Sequence, residues 1–197
     1  MNGLIESLAW LITAYLKRDF EEEEVRVAYT GRNMLVFIED DYVELVKGSE
    51  YTLPRWIAQQ LIEEGLAKPV DEPVDVAKVA RIAFNESRLK SSTKFEKLSG
   101  YFYMAVNREV AELLRKYKSI DSVSKARELS ERLDKLVASI KQLHKTRLSK
   151  LLSLLSMQEL TPEALSNLSE EEKHLYSSLK TLLEVFNRNV FEVEKHG

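Results

Sequence analysis

The chain has 197 residues, of which 44% are hydrophobic and 31% charged, and its formal net charge at pH 7 is −3. This length suits one ordinary domain or two small ones. The chain contains no cysteine, and its three histidines do not share metal-ligand spacing, which excludes disulfides, thiolate metal sites and cysteine nucleophiles. Its six glycines form neither a phosphate-binding loop nor a dinucleotide fingerprint, so we expect no metal, no cofactor and no catalytic activity.

The first 72 residues predict a small β-rich domain with flanking helices. Apolar residues repeat at helical spacing over residues 4–16, in a segment too short to cross a bilayer and without the features of a signal peptide. We therefore expect a soluble, intracellular protein. Three short strands follow, over 25–29, 34–38 and 42–46, with a hairpin turn at 30–33 joining the first two.

A short helix completes this domain. Pro54 suits the first position of a helix, and Gly65 suits the residue that ends it. Trp56 lies early in this helix, where we expect it to cover the sheet or to contact a partner.

Two prolines, Pro69 and Pro73, mark the boundary to a second domain, because proline resists both a continuing helix and a central strand. Residues 73–197 predict a helical bundle. Asp75 is the expected N-cap of a helix that reaches about residue 90. Further helices are predicted over 98–118, over 121–157, as a short helix opened by Thr161, and over 169–193. The expected fold class is mainly α, with four to five bundle helices after a three-stranded β-rich module.

The longest predicted helix carries an apolar stripe with alternating spacings of four and three residues. Its members are Leu129, Leu133, Leu136, Ile140 and Leu143. A helix of about 35 residues is about 50 Å long, which is more than a small bundle can cover. We therefore expect the stripe, together with Trp56, to contribute to an interface with another chain.

The charge is unevenly distributed along the chain. Residues 1–75 carry 7 basic and 16 acidic side chains, whereas residues 76–150 carry 18 basic and 8 acidic ones. A basic middle segment of this kind fits a nucleic-acid surface, a surface for an acidic partner, or solvated helix faces. The candidate contacts on the long helix are Lys141, Lys145, Arg147 and Lys150.

Four stretches resemble motifs of the GINS complex family, in the same order along the chain. Residues 53–61 (LPRWIAQQL) are similar to the family's Pro-x-Trp stretch, and residues 101–104 (YFYM) to its Tyr-Tyr-Met region. Residues 146–150 (TRLSK) and 157–160 (MQEL) are similar to its long helix and the stretch that follows. The leading helix over 4–16 departs from the eukaryotic pattern, which favours an archaeal version.

The resemblance implies a non-enzymatic scaffold of DNA replication. It implies the Psf two/three-like subunit type, in which the β-rich domain precedes the helical one. The expected partners are a second GINS subunit type in a dimer of heterodimers, the MCM helicase, a RecJ-like or Cdc-type protein and, for some members, primase. The expected location is the archaeal cytosol, at the nucleoid.

Two alternatives remain open beside the scaffold. A basic helical nucleic-acid-binding protein would use the lysines and arginine of the long helix to neutralise phosphates. No aromatic stacking surface is interleaved with them, however. A self-associating coiled-coil adaptor would use the apolar stripe, but such a protein does not need the β-rich module.

Overall fold

The structure is a computed structural model that describes residues 2–38, 40–71, 74–89, 91, 93–98, 100–120, 122–157 and 160–191. The chain forms two compact units, Met1–Pro73 and Val74–Gly197. The first contains both helices and strands, whereas the second contains helices alone among its described residues. The predicted fold class, a mainly helical chain whose small β-rich part precedes a helical bundle, is confirmed.

The first unit begins with a helix, α1 (Asn2–Glu22), which is longer than the predicted helix over 4–16. The strands β1 (Glu24–Tyr29), β2 (Met34–Ile38), β3 (Asp41–Leu45) and β4 (Glu50–Pro54) follow. The unit ends with α2 (Arg55–Glu63) and a short strand, β5 (Ala67–Pro69). The described part of this unit thus contains five strands, two more than the sequence predicted.

The strand pairing differs from the predicted hairpin. β1 is the central strand of an antiparallel sheet with the order β4-β1-β5, and β2 pairs with β3 in a second sheet. The hairpin predicted at 30–33 is therefore wrong. The backbone N–H groups of Thr30 and Gly31 instead donate to the Leu66 carbonyl, at 2.8 and 3.1 Å, which holds this segment beside β5. Pro69 is tolerated in β5 because that strand lies at the sheet edge.

Gly31 is required by a close approach. The Tyr29 hydroxyl donates to the Arg32 carbonyl at 2.6 Å, so the phenol lies over Gly31, one of the two residues between them. A Cβ atom at Gly31 would lie 2.6 Å from this hydroxyl oxygen, which is shorter than any van der Waals contact. A residue without a side chain is therefore needed between these two hydrogen-bonding partners.

The core of the first unit lies between the strands and α2. The buried side chains come from alternate strand positions and from one face of α2: Val27, Tyr29, Leu45, Leu53, Ile57, Ala58, Leu61 and Ala67. Among the described side chains of α1, those of Leu16 and Phe20, near its C-terminal end, are buried. The described side chains from Gly3 to Leu11 are exposed.

The second unit is a bundle of α3 (Val76–Arg88), α4 (Phe102–Lys118), α5 (Val123–Met157), α6 (Pro162–Ser166) and α7 (Glu170–Val190). Local capping explains several of these boundaries. The Asp75 carboxylate accepts from the Ala77 N–H at 3.2 Å, as predicted for this N-cap. Thr161 caps α6, and Ser169 caps α7. The predicted start of α5 at Asp121 and the predicted end of α7 at residue 193 lie outside the described residues.

Two apolar cores hold the bundle together. The larger core joins α3, α4 and α5 through Val79, Ala83, Leu98, Phe102, Val106, Leu113, Leu136 and Leu143. The smaller core joins the C-terminal end of α5 to α6 and α7 through Phe95, Leu151, Leu154, Ala164, Leu168 and Tyr176. Among the described residues, no helix combines the length and the apolar character that crossing a bilayer requires.

Candidate partner interface

Arg147 lies in the interior of the bundle, although the sequence predicted it as a contact for nucleic acid or an acidic partner. Its side chain is fully buried on α5, and all five of its N–H groups donate hydrogen bonds. Nε and Nη2 form a bidentate pair with Glu172 on α7, at 2.7 and 2.6 Å. Nη1 donates to Glu86 on α3 at 2.8 Å and to the Glu96 carbonyl at 2.9 Å, and Nη2 also donates to the Asn167 carbonyl. No N–H is left for a phosphate or for a partner's carboxylate, so the prediction is wrong for Arg147.

Lys150 is also engaged inside the bundle. Its Nζ atom lies 2.5 Å from Glu86 Oε1 and donates to the Lys94 carbonyl at 3.0 Å. The ring of Phe95 lies against both cations, 5.0 Å from the Arg147 guanidinium carbon and 5.5 Å from Lys150 Nζ. Because only 11% of its side chain is exposed, the predicted surface role of Lys150 is wrong as well.

These groups form a charge-balanced network of two cations and two carboxylates that joins α3, α5 and α7. Burial alone would lower the pKa of Arg147, but the hydrogen bonds and charge of Glu172, with the charge of Glu86, raise it above its ordinary value. The Tyr103 hydroxyl donates to Glu172 at 2.7 Å, and burial together with this carboxylate raises the pKa of Tyr103. The network therefore holds the helices together and presents no charge to a ligand.

The predicted apolar stripe of α5 is covered by helices of the same chain. Leu136 and Leu143 are completely buried, and Leu129, Leu133 and Ile140 are partly buried against the same core. The prediction of a partner interface is therefore wrong for Leu136 and Leu143, because residues of α3 and α4 already occupy the space beside them. The physical reason is that α5 is amphipathic and packs its apolar face against α3 and α4 of the same bundle.

The remaining predicted contacts are accessible. Trp56 is half exposed on α2, and Lys141 and Lys145 are exposed on α5. Their roles toward a partner stay predictions.

The C-terminal half of α7 carries an apolar surface that sequence reasoning missed. Every residue from 181 to 191 is exposed, and the buried residues of this helix, Glu172 and Tyr176, lie in its N-terminal half. The large apolar side chains of this α7 surface are Leu182, Leu183, Val185, Phe186, Val190 and Phe191. Such a contiguous exposed patch is typical of a protein–protein contact. The sequence indicated this surface through the helical spacing of Leu179, Leu182 and Phe186, on a helix that extends beyond its last buried residue.

A groove adjoins the N-terminal half of α7. It has a volume of about 340 Å³ and is lined by Tyr103, Ile140, Lys141, His144, Glu171, Glu172 and Leu175. The ring of His144 packs edge-on against Tyr103, with 5.5 Å between the ring centroids. We call this cavity the α5–α7 groove. Its lining combines the apolar side chains of Ile140 and Leu175 with the polar side chains of Lys141, His144, Glu171 and Glu172.

Glu171 is one of the polar side chains that line this groove, with Lys141, His144 and Glu172. Its Oε1 atom accepts from the Met104 N–H at 3.0 Å, whereas its Oε2 atom is buried and has no hydrogen-bond partner within the described residues. Burial raises the pKa of Glu171 above its usual value, although the Met104 N–H favours the ionised form. Among the described histidine, aspartate and glutamate side chains, no group of three could hold a metal ion.

The helical bundle is similar to a known protein family. Residues 60–191 match the family described as Sld5, GINS complex protein helical bundle domain. The match covers more than half of the chain and includes α3 to α7, with the α5–α7 groove and the α7 surface. A search of curated proteins finds no match to this chain.

Proposed function

Because the chain belongs to the GINS complex protein family, we propose that it is a non-enzymatic subunit of the GINS replication complex that binds other GINS subunits through its helical bundle. The α7 surface is the observation that carries this proposal. It lies inside the matched residues, and its large apolar side chains are exposed in the single chain. Burying them against a second subunit would supply the hydrophobic driving force for assembly.

We further propose that the chain is the Psf two/three-like subunit and that it assembles with a second GINS subunit type as a dimer of heterodimers. The order of the units, β-rich before helical, and the Pro-x-Trp stretch at 53–61 support this type. In this role the complex would scaffold the MCM helicase and a RecJ-like or Cdc-type protein at the fork, with primase as a further partner. An archaeal cytosolic location belongs to the same proposal.

The two alternatives have less support than the scaffold. A nucleic-acid-binding protein would retain Lys141 and Lys145 of its four candidate cations, since Arg147 and Lys150 are engaged inside the bundle. A coiled-coil adaptor would need the α5 stripe, but Leu136 and Leu143 of that stripe are buried in the chain's own core.

The proposal is tested by purifying the tagged full chain from its native host. We expect a second GINS subunit in stoichiometric amount, and light scattering should give the mass of a heteromeric complex. The chain expressed alone should self-associate, because the α7 surface would then lack its partner. A stable monomer that retains no GINS subunit would contradict the proposal.

A further inference from the structure

The two-stranded sheet of β2 and β3 has apolar side chains on both faces of β2. Val36 and Ile38 pack against the core of the first unit. On the opposite face, Leu35 and Phe37 are 64% and 55% exposed. A strand with one face on the core normally carries polar side chains on its solvent face, but all five residues of β2 (MLVFI) are apolar. An exposed apolar strand of this kind is a template for pairing with another chain.

The outer edge of β2 is accessible for such pairing. In a two-stranded sheet, each strand leaves alternate N–H and C=O groups on the edge that faces away from its neighbour. At the end of β3, the Tyr51 hydroxyl occupies two backbone groups, accepting from the Val46 N–H at 2.7 Å and donating to the Glu44 carbonyl at 3.0 Å. Within the described part of the chain, the backbone of β2 makes no hydrogen bond outside its pairing with β3. β2 is therefore the strand whose edge can accept a further strand.

The charges of the β2–β3 hairpin, residues 32–47, select the direction of that further strand. Arg32 precedes β2 and Lys47 follows β3, and the Lys47 N–H donates to the Asn33 side chain at 3.2 Å, so both cations lie at one end. Asp40 and Asp41 lie at the other end, where β2 turns into β3. All four charged residues are exposed. A second hairpin laid antiparallel along β2 would place its acidic end beside this basic end, whereas a parallel one would place like charges side by side.

We propose that β2 pairs antiparallel with β2 of a second copy of this chain, which joins the two hairpins into one four-stranded sheet. With Val36 on the two-fold axis, Leu35 lies beside Phe37 of the second copy, and Arg32 lies beside its Asp40. The axis repeats each contact, so one surface meets the apolar, backbone and charge requirements of both copies. The inference goes beyond the proposed function and does not require it, although a dimer of heterodimers would bring two copies of this chain into one complex.

The test uses the full chain carrying Leu182→Ser and Phe186→Ser, so that the α7 surface does not contribute to association. We expect light scattering to show a mass that rises with concentration from 22.8 kDa toward twice that value, since the pairing covers a single strand of each copy. Adding Arg32→Asp should weaken this association about tenfold, because acidic side chains then meet at both ends of the shared edge. Adding Asp40→Arg as well should restore it, since the two charges are exchanged. Lys68→Asp is the matched control, because it makes the same charge change at an exposed residue of β5 and should leave the association unchanged.

Amide hydrogen exchange measures the same pairing at the strand itself. The outward N–H groups of β2 should exchange more slowly as the concentration of the chain rises, because they become hydrogen-bonded to the second copy. Arg32→Asp should remove this dependence on concentration. The melting temperature of each variant is the control for folding, and we expect it to stay unchanged because the substituted residues are exposed.

The possible outcomes separate the inference from the proposed function. A chain that stays monomeric at every concentration refutes the inference and leaves the proposed function standing. Equal weakening by Arg32→Asp and Lys68→Asp, or no recovery on adding Asp40→Arg, also refutes it. If the dimer forms and responds to these charges but no GINS subunit co-purifies with the chain, the inference stands and the proposed function fails.

Discussion

Replacing Arg147 with methionine should strongly destabilise the helical bundle. The substitution keeps a long, unbranched side chain but removes five donors, which leaves Glu172 buried without its cation and Glu86 with Lys150 alone. Removing one partner of a buried ion pair costs about 3–5 kcal/mol, because the remaining charge is left uncompensated. The Glu96 and Asn167 carbonyls lose a donor as well, so the upper part of this range applies. In a chain of this size, the melting temperature should fall by about 10–15 °C.

Lys145→Met is the matched control, since it exchanges a cation for methionine on the same helix at an exposed position. It should change the free energy of unfolding by less than about 0.5 kcal/mol. Thermal and urea unfolding followed by far-UV circular dichroism would measure both variants in the full chain. Adding Glu172→Gln to Arg147→Met should recover part of the lost stability, because the uncompensated charge of Glu172 is then removed, whereas Glu86 keeps its ion pair with Lys150. Unfolding of Arg147→Met at the same temperature and urea concentration as Lys145→Met, or no recovery of stability from the added Glu172→Gln, would contradict this prediction.

Gly31→Ala should destabilise the β-rich unit by about 1–3 kcal/mol in urea unfolding, because the new methyl group would lie 2.6 Å from the Tyr29 hydroxyl oxygen; unchanged stability would contradict that close approach. The double variant Leu182→Ser with Phe186→Ser should leave the melting temperature unchanged, since both side chains are exposed. It should prevent the formation of the complex seen by gel filtration, and a complex of normal mass would exclude the α7 surface from the interface. The pKa of Glu171 is raised, so the folded state binds the carboxyl proton more tightly than the unfolded state does. The contribution of Glu171 to the free energy of unfolding therefore falls as the pH rises from about 4.5 through the folded pKa. Glu171→Gln should therefore raise the melting temperature of the chain alone at pH 7, but not below about pH 4. An equal increase at both pH values would contradict the raised pKa of Glu171.

Local sequence features determined the helical elements of this protein. Asp75 was recognisable as an N-cap, and Thr161 with Pro162 as the start of a helix, because capping depends on residues within one turn of each other. The 3.6-residue period of α5 was likewise visible over its whole length. The order of a β-rich part before a helical part followed from the change of period and the two prolines between them.

The pairing of strands was decided by tertiary structure. The short segment at 30–33 has the composition of a hairpin turn, but Gly31 instead bonds to Leu66, which is far away in sequence. β1 consequently pairs with β4 and β5, the two strands that the sequence analysis did not predict. Strand pairing depends on contacts between distant residues, and local propensity does not encode those contacts.

The candidate interface was decided in the same way. An apolar stripe on α5 predicts that the helix buries one face, but the stripe alone does not say whether its own chain or another chain covers that face. Arg147 could have been placed inside from its spacing, since it lies four residues from both Leu143 and Leu151 on the buried face. Its carboxylate partners could not, because Glu86 and Glu172 come from two other helices. Only the packing of α3 and α4 over α5, and the extension of α7 beyond that packing, decide which apolar residues are left for a partner.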